Sequence, residues 1–291
     1  MPAEPAEPAE TRVLLVTCST FPDGEPGHEH LDAALTERGI SSRWACWDDP
    51  YVDWSAAELV VVRSTWDYQD RLADFLGWAG SVGASLLHGA DVFRWNTDKS
   101  YLVELAAHGG VPVVPSESVD NPVDLRAAIA RHQPAVVKPR VGAGGHGMVV
   151  VYDAGTWLPV DPGPWIVQPL VGSVMTEGEQ SVFVFGGRPV SQVRKVAGKD
   201  DYRVHEHFGG TSYDTPLDPE AALLAARTVA VTTEILGSEL VYARIDLMRH
   251  DGELMVSEVE ITEPGLYLDH VPGNAALFAD ALAARLRPEK L

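Results

Sequence analysis

The sequence Pro-Ala-Val-Val-Lys-Pro-Arg-Val-Gly-Ala-Gly-Gly-His-Gly-Met-Val-Val-Val-Tyr at residues 134–152 decides the fold of this chain. A short apolar run carries Lys138, and a glycine-rich loop separates it from a second β-branched run. Glycine lets backbone N–H groups approach an anion closely, and several such groups in succession form a concave anion site. We interpret the stretch as a strand, a phosphate-binding loop and a second strand. The loop glycines are Gly142, Gly144, Gly145 and Gly147.

Two common nucleotide motifs do not account for this loop. The spacing Gly142-x-Gly144-x-x-Gly147 matches the dinucleotide fingerprint, but that fingerprint requires a helix after the glycines. The run 148–152 has no helical period, and no Gly-Lys-Ser/Thr closes the loop, so a Walker A motif is excluded as well. A plain β-hairpin with a long glycine turn is the alternative for this segment taken alone.

The composition narrows the class of protein. A length of 291 residues predicts two domains or three small ones. The net charge of −20, from 22 Lys and Arg against 42 Asp and Glu, argues against nucleic acid and anionic membrane as partners. No apolar run reaches the roughly 20 residues of a membrane span, and the N-terminus lacks signal-peptide features. Cys18 and Cys46 match no metal spacing, so we expect reduced thiols and a cytoplasmic protein.

The N-terminal part predicts a small Rossmann-like β/α domain. Residues 1–11 contain a Pro-Ala-Glu repeat and are expected to be disordered. Residues 12–95 alternate predicted strands (13–17, 42–47, 59–65 and 85–88) with helices (29–38 and 71–78), which favours a parallel sheet. Ligands of such sheets lie at the carboxyl ends of the strands. Arg63 and Ser64 are therefore candidates to hold a substrate carboxylate, with a plain surface loop as the alternative.

The remaining chain predicts two lobes, at residues 96–168 and 169–291. Asn96 is expected to open a helix with Lys99 in its first turn. Gly186-Gly187 predicts a hairpin, and His205-x-His207 is interpreted as loop histidines because no third His or Cys lies nearby. The other predicted strands are 111–115, 165–171, 179–185, 189–195, 241–248 and 253–261, and the other helices are 123–132, 219–236 and 274–286.

Three acids interrupt the last two predicted strands. If the turn is residues 251–253, Asp246 pairs with Glu258, and Arg244 pairs with Glu260 on the same face. A pair of carboxylates at 4 Å costs roughly 4 kcal/mol at an effective dielectric of 20. Mg²⁺ would offset this repulsion, because carboxylate oxygens suit that ion. A solvent-exposed acidic face is the alternative.

These motifs together resemble the ATP-grasp superfamily over about residues 96–272. The segments Arg244-Ile-Asp246, Glu258-x-Glu260 and Glu263-Pro-Gly265 are similar to the D-alanine–D-alanine ligases, and residues 168–170 and 178–187 to the glutathione synthetases. Glu260 departs from these relatives, which commonly carry asparagine there. The stretches 19–27 and 63–68 resemble actinobacterial members that include the cyclo-ligase of D-cycloserine formation.

The resemblance implies an α/β fold in which two lobes clasp ATP beside the N-terminal domain. It implies a ligase that activates a small amino-acid-type carboxylate as an acyl phosphate, joins it to an amine and releases ADP and phosphate. The amine is internal if the reaction is the cyclisation of O-ureido-D-serine to D-cycloserine. A phosphotransferase, a glutathione-synthetase-like peptide ligase and a nucleotide-binding regulatory protein are the alternatives, and a homodimer is one open assembly.

The same resemblance implies a role for each candidate residue. Lys99, Lys138 and the loop glycines contact phosphate, Gln168 and Leu170 border the adenine, and Glu179 contacts the ribose. Asp246, Glu258 and Glu260 hold two Mg²⁺ ions, with Mn²⁺ as a substitute. Arg203 and Arg244 stabilise the reacting phosphoryl or acyl group. Gly265 joins Arg63 and Ser64, which were inferred from the strand ends, as a candidate to bind the substrate.

Overall fold

The computed structural model of the protein describes residues 12–286 apart from residues 156, 158, 160, 161 and 200. The predicted disordered tail at 1–11 lies outside the described residues. The described part of the chain folds into three sheets with helices packed around them. No helix in that part is long and apolar enough to span a bilayer.

The first sheet is parallel, with the strand order β2-β1-β3, as the β/α pattern predicts. Its elements are β1 (Val13–Thr17), α1 (His28–Glu37), β2 (Ser42–Cys46), β3 (Leu59–Ser64), α2 (Leu72–Val82) and α3 (Ala90–Asn96). Alternate residues of β1 point to opposite faces. Leu14 therefore joins one buried cluster, and the residues on either side of it join a second. The predicted strand at 85–88 is wrong. Only Leu86 pairs, with Val60, because His88 at a φ of 70° ends the extended segment.

The second sheet is antiparallel, with the order β4-β7-β5-β6. Its elements are α4 (Tyr101–His108), β4 (Glu117–Val119), α5 (Pro122–His132), β5 (Ala135–Pro139), β6 (Val149–Val151) and β7 (Trp165–Pro169). β5 and β6 confirm the predicted strand–loop–strand.

Two predictions for this region are wrong. Asn96 ends α3 instead of opening a helix, because its side chain bonds backbone groups of the third sheet. Lys99 therefore lies in the turn before α4. The segment 111–115 forms only a bridge from Val113 to Val256, since two of its five residues are prolines without an N–H.

The third sheet is antiparallel, with the order β10-β9-β8-β11-β12. Its elements are β8 (Glu179–Phe185), β9 (Arg188–Val196), β10 (Thr211–Thr215), α6 (Pro219–Leu236), β11 (Tyr242–His250), β12 (Glu253–Glu260) and α7 (Gly273–Leu286). The predicted hairpin at Gly186-Gly187 is confirmed. α6 begins where the Asp218 side chain accepts hydrogen bonds from two backbone N–H groups.

The hairpin of β11 and β12 pairs its acids as predicted, but through a different turn. The turn has two residues, Asp251 and Gly252, both at positive φ, instead of three. The strands then pair Leu247 with Val256, and an extra residue on β12 shifts the register so that Asp246 lies opposite Glu258. The bulge therefore restores the pairing that the longer turn would have given.

Candidate active site

One cavity of about 590 Å³ collects most of the predicted site residues. Its wall takes Lys138 from β5, Gln168 from β7, Asp246 from β11 and Glu258 from β12, together with the loop that contains Phe21. Residues of the second and third sheets and loops of the first sheet thus border one cavity. The glycine loop and the acidic strands face the same space, as the sequence predicts.

The three acids form a compact group. One carboxylate oxygen from each of Asp246, Glu258 and Glu260 lies within 4.8 Å of the others. Burial raises the pKa of Asp246, but Arg244 and Lys195 outweigh burial and hold this pKa well below its usual range. Burial, with Asp246 and Glu258 adding to it, raises the pKa of Glu260 to about 8 against the opposing charge of Arg244. Oxygen donors in this arrangement fit Mg²⁺.

Arg244 and Lys99 supply positive charge beside the acids. The Arg244 guanidinium donates to both Asp246 oxygens at 3.0 and 2.9 Å and also to Glu260. Lys99 Nζ lies 2.9 Å from a Glu258 oxygen and donates to the Gly142 carbonyl at 2.6 Å. Lys99 therefore connects the acidic group to the glycine loop.

Lys195 is a site residue that the sequence analysis missed. Its Nζ lies 2.7 Å from Glu179 and 3.1 Å from Asp246, and its side chain is buried. A regular register from the Gly186-Gly187 turn would place Arg194 opposite Glu179, and a bulge between Phe183 and Val184 brings Lys195 there instead. Residue types alone therefore did not indicate this contact. Glu179, implied to contact ribose, is thus held in an ion pair at the acidic wall.

Lys138 has no ion-pair partner among the described residues. Its side chain lines the cavity and makes no hydrogen bond or ion pair with any residue that the structure describes. Burial lowers the pKa of Lys138, and the nearby Lys99 lowers it further, while Glu258 opposes both. An anionic ligand would satisfy this ammonium group.

The glycine loop has the backbone that its sequence requires. Gly144, Gly145 and Gly147 have positive φ, whereas Gly142 does not. A Cβ on Gly147 would lie 2.8 Å from a ring carbon of Pro139, so a side chain there needs a shift of the loop.

The segment 201–208 packs beside the glycine loop. A Cβ on Gly145 would lie 3.5 Å from the Phe208 ring and 3.6 Å from Arg203. The Arg203 guanidinium lies 3.4 Å above the Phe208 ring and pairs with Asp201. His205 and His207 also line the cavity wall, and neither joins the acidic group.

Part of the cavity lining is apolar. Leu170 forms it with Val114, Val136 and Met248, and the Gln168 amide donates to a serine hydroxyl at 2.8 Å. These side chains suit a flat aromatic base.

Arg63 and Ser64 do not line the cavity, and their predicted contact with substrate is not supported by their positions. Arg63 is fully buried and donates to Glu25 at 2.6 Å and to the Pro264 carbonyl at 2.7 Å. The Ser64 hydroxyl is also buried, 2.7 Å from Thr17 Oγ1. Both residues face inward because β3 is covered on both faces. Gly265 does reach the cavity, and its carbonyl accepts a hydrogen bond from Arg244 at 3.3 Å.

Glu263 and Tyr68 were not singled out as site residues, yet both line the cavity. Burial raises the pKa of Glu263 to about 7, while Lys99 and the Tyr68 side chain oppose this shift. The Trp66 indole donates to the Glu263 backbone carbonyl at 3.0 Å, and Phe21 packs edge-on to Trp66 at 5.0 Å. The sequence signal was weak, because the acid and the aromatics are far apart in the chain.

Comparison with known proteins gives the class. Residues 112–269 match the ATP-grasp domain of prokaryotic glutathione synthetase, and residues 13–88 match the N-terminal domain of D-cycloserine synthetase DcsG. The first match covers more than half of the chain, so the chain belongs to the ATP-grasp superfamily. It is an ATP-dependent ligase that forms C–N bonds, and the predicted fold and enzyme class are confirmed.

Individual relatives agree with this class. The cycloserine biosynthesis protein DcsG of Streptomyces lavendulae is 35% identical over 280 residues, which are 89% of this chain and 93% of the relative. The crystal structure of D-cycloserine synthetase DcsG superimposes with a TM-score of 0.82 at 32% identity, covering 94% of this chain and 99% of that one. D-alanine–D-alanine ligase from Bacillus anthracis has a TM-score of 0.65 at 17% identity, covering 97% of this chain and 100% of that one, and shares the fold.

Proposed function

We propose that the chain activates a small amino-acid-type carboxylate with ATP and closes it onto an internal amine. The specific reaction that we propose is the cyclisation of O-ureido-D-serine to D-cycloserine. The observation that carries the ligase chemistry is the meeting of Lys138, the glycine loop and the acidic group in one cavity. The likeness to DcsG over both the N-terminal domain and the ATP-grasp domain supports the choice of substrate.

The charges around the cavity support a metal requirement. At the acidic strands, the carboxylates are Asp246, Glu179, Glu258 and Glu260, and the cations are Arg244, Lys99, Lys138 and Lys195. These eight charges balance formally and four further acids line the cavity, so the negative charge of a nucleotide triphosphate needs further cations. Two Mg²⁺ ions on Asp246, Glu258 and Glu260 would meet that need, and Mn²⁺ would substitute. When bound, such ions clamp the phosphate oxygens and neutralise developing charge.

The residues of the chain position and stabilise the reacting groups. The substrate carboxylate oxygen attacks the γ-phosphorus and ADP leaves; the ureido nitrogen that is bonded to oxygen then attacks the acyl carbon, loses its proton and displaces phosphate. Water then cleaves the carbamoyl group from the ring nitrogen, and the carbamic acid released decomposes to CO2 and NH3. Lys138, Lys99 and the glycine N–H groups would hold phosphate oxygens, because phosphoryl transfer depends mainly on positioning and charge. Arg244, beside Gly265, would stabilise the oxyanion on the acyl carbon, and Arg203 the phosphoryl group. The glycine loop would exclude water from the acyl phosphate.

In this proposal, the nucleotide binds between the two lobes, which are residues 96–168 and 169–291. Gln168 and Leu170 would border the adenine at the apolar part of the lining. Glu179 would reach the ribose only if its ion pair with Lys195 opens, because that pair now occupies the carboxylate. A homodimer and a cytoplasmic location stay predictions.

An ADP-release screen tests the proposal. O-ureido-D-serine, other amino acids and their aminooxy analogues are supplied singly and in pairs with ATP and Mg²⁺. We expect O-ureido-D-serine alone to release ADP and phosphate in equal amounts and to yield D-cycloserine. Activity only with a pair of compounds would favour a peptide ligase, and a stable phosphorylated product would favour a phosphotransferase; either result would overturn cyclisation.

Glu258→Gln separates a ligase from a regulatory protein. A ligase should lose at least about a hundredfold in turnover, since losing even the hydrogen-bonded support of a metal ligand costs 10–100-fold. Retained turnover would contradict the metal role of the acidic group. Circular dichroism checks that the variant remains folded.

A further inference from the structure

In the part of the chain that the structure describes, one carboxylate of the cavity wall has no cationic partner. Eight acids line the cavity, and seven of them have a Lys, Arg or His nitrogen within 4.0 Å: Glu25, Glu179, Glu206, Asp246, Glu258, Glu260 and Asp269. Glu263 is the eighth, and among the described residues it has no such partner. Holding even a half-buried carboxylate without a counter-charge is costly, so this position calls for a cation from outside the chain.

Glu263 is held in place and is separate from the metal group. The Trp66 indole donates to its backbone carbonyl at 3.0 Å, and the Tyr68 side chain interacts with its carboxylate and lowers its pKa. The group of acids close enough to share a metal ion consists of Asp246, Glu258 and Glu260 and does not include Glu263. Its environment is also aromatic, because Phe21, Trp66 and Tyr68 line the same part of the cavity.

A fixed carboxylate among aromatic rings suits an ammonium group. The carboxylate offers a charge-assisted hydrogen bond, and aromatic faces attract cations. Glu263 also lies close to the acyl-activating end, since Gly265, two residues on, bonds Arg244. The α-ammonium of an amino acid is one carbon away from its carboxylate, so a ligand activated there places its ammonium near this end.

We propose that Glu263, oriented by Tyr68 and flanked by Phe21 and Trp66, binds the α-ammonium group of the amino-acid-type substrate. The assignment rests on the proposed function. It makes Glu263 the residue that distinguishes amino-acid substrates from carboxylates that lack the amine.

The test compares two probes on wild-type protein and the Glu263→Gln variant. The probes are O-ureido-D-serine and its counterpart without the α-amine, 3-(ureidooxy)propionic acid, and calorimetry measures their binding in the presence of ADP and Mg²⁺. We expect wild type to prefer the amino compound by about tenfold to a hundredfold, the value of one charge-assisted hydrogen bond. Glu263→Gln should lose most of this preference and keep its affinity for ADP. Tyr68→Phe should lose part of it.

Asp269→Asn is the matched control, because it removes an exposed cavity acid whose partner is His270. Its preference should equal that of wild type. A wild-type protein that binds neither probe or prefers neither would overturn the proposal, as would Glu263→Gln with an unchanged preference. Weakened ADP and Mg²⁺ binding in that variant would indicate a metal ligand instead. If wild type prefers the amino compound but releases no ADP with it, the proposed reaction is wrong, whereas the assignment of Glu263 to the ammonium group is still supported.

Discussion

The substitution Arg63→Met removes the cation from a buried ion pair that joins the first sheet to the substrate end of the cavity. Arg63 donates to Glu25 and to the Pro264 carbonyl, and it lies 4.9 Å from the Phe278 ring. The second Glu25 oxygen accepts the Leu266 N–H at 2.8 Å. The pair therefore fixes the backbone at 264–266, next to Gly265 of the cavity wall.

The size of the effect follows from burial. Arg63 is 0% exposed and Glu25 1% exposed, so Arg63→Met leaves a carboxylate in the core with one remaining donor. Breaking a buried pair from one side costs about 3–5 kcal/mol of unfolding free energy. The double variant Arg63→Met/Glu25→Gln leaves no charge behind and should recover at least about 1 kcal/mol of the sum of the single effects.

Urea unfolding followed by tryptophan fluorescence measures these free energies. Arg38→Met is the matched control, because Arg38 pairs with Asp280 at the surface at 2.7 Å and should lose less than about 1 kcal/mol. If Arg63→Met costs no more than this control, or if the two single effects simply add, the buried pair does not stabilise the fold as argued. In an activity assay without denaturant, at a temperature where Arg63→Met is folded, its KM for the amino-acid substrate should rise more than its KM for ATP.

Three other changes have defined outcomes. Lys138→Met should raise the KM for ATP about tenfold to a hundredfold, since a hydrogen bond to a charged group contributes about 1.5–3 kcal/mol; steady-state ADP release measures it, and an unchanged KM would contradict a phosphate contact. His88 accepts the Val241 N–H at Nε2, which leaves the Nδ1 proton for the Ile261 carbonyl, and burial lowers its pKa from 6.5 to about 4. As the pH falls, the unfolded chain takes up the proton that makes the imidazole cationic before the folded chain does. The unfolding free energy is therefore highest above pH 6.5 and falls by up to about 3 kcal/mol as the pH drops to 4. Urea titrations at each pH measure this free energy, and its dependence on pH should be shallower in His88→Gln. Gly147→Ala should slow turnover by distorting the glycine loop, whereas Gly77→Ala, where a Cβ meets nothing within 4 Å, should leave turnover unchanged in the same assay.

The sequence predicts those features of the site that depend on short-range periodicity. Alternation along a strand places Glu258 and Glu260 on one face, and glycine spacing marks the phosphate loop, so both are evident before folding. The pairing of Asp246 with Glu258 was predicted through a turn of the wrong length, because a bulge is a local insertion that residue types alone do not reveal.

Long-range partnerships were not predictable in the same way. Arg63 has the chemistry of a carboxylate ligand, and only the fold shows that Glu25, 38 residues earlier, already occupies it. Lys99 was assigned to a helix that the Asn96 side chain prevents by bonding the third sheet. Glu263 meets Tyr68 across 195 positions of chain (263 − 68), a distance over which no periodic pattern extends.

The Lys99 ammonium spans the gap between the Gly142 carbonyl and the Glu258 carboxylate. A phosphate that takes this ammonium as its donor would deprive the loop backbone of its internal tether. Binding of the nucleotide and release of the loop would then be one event, in which Lys99 exchanges the Gly142 carbonyl for a phosphate oxygen. The conformation of the loop would therefore depend directly on whether the nucleotide is bound.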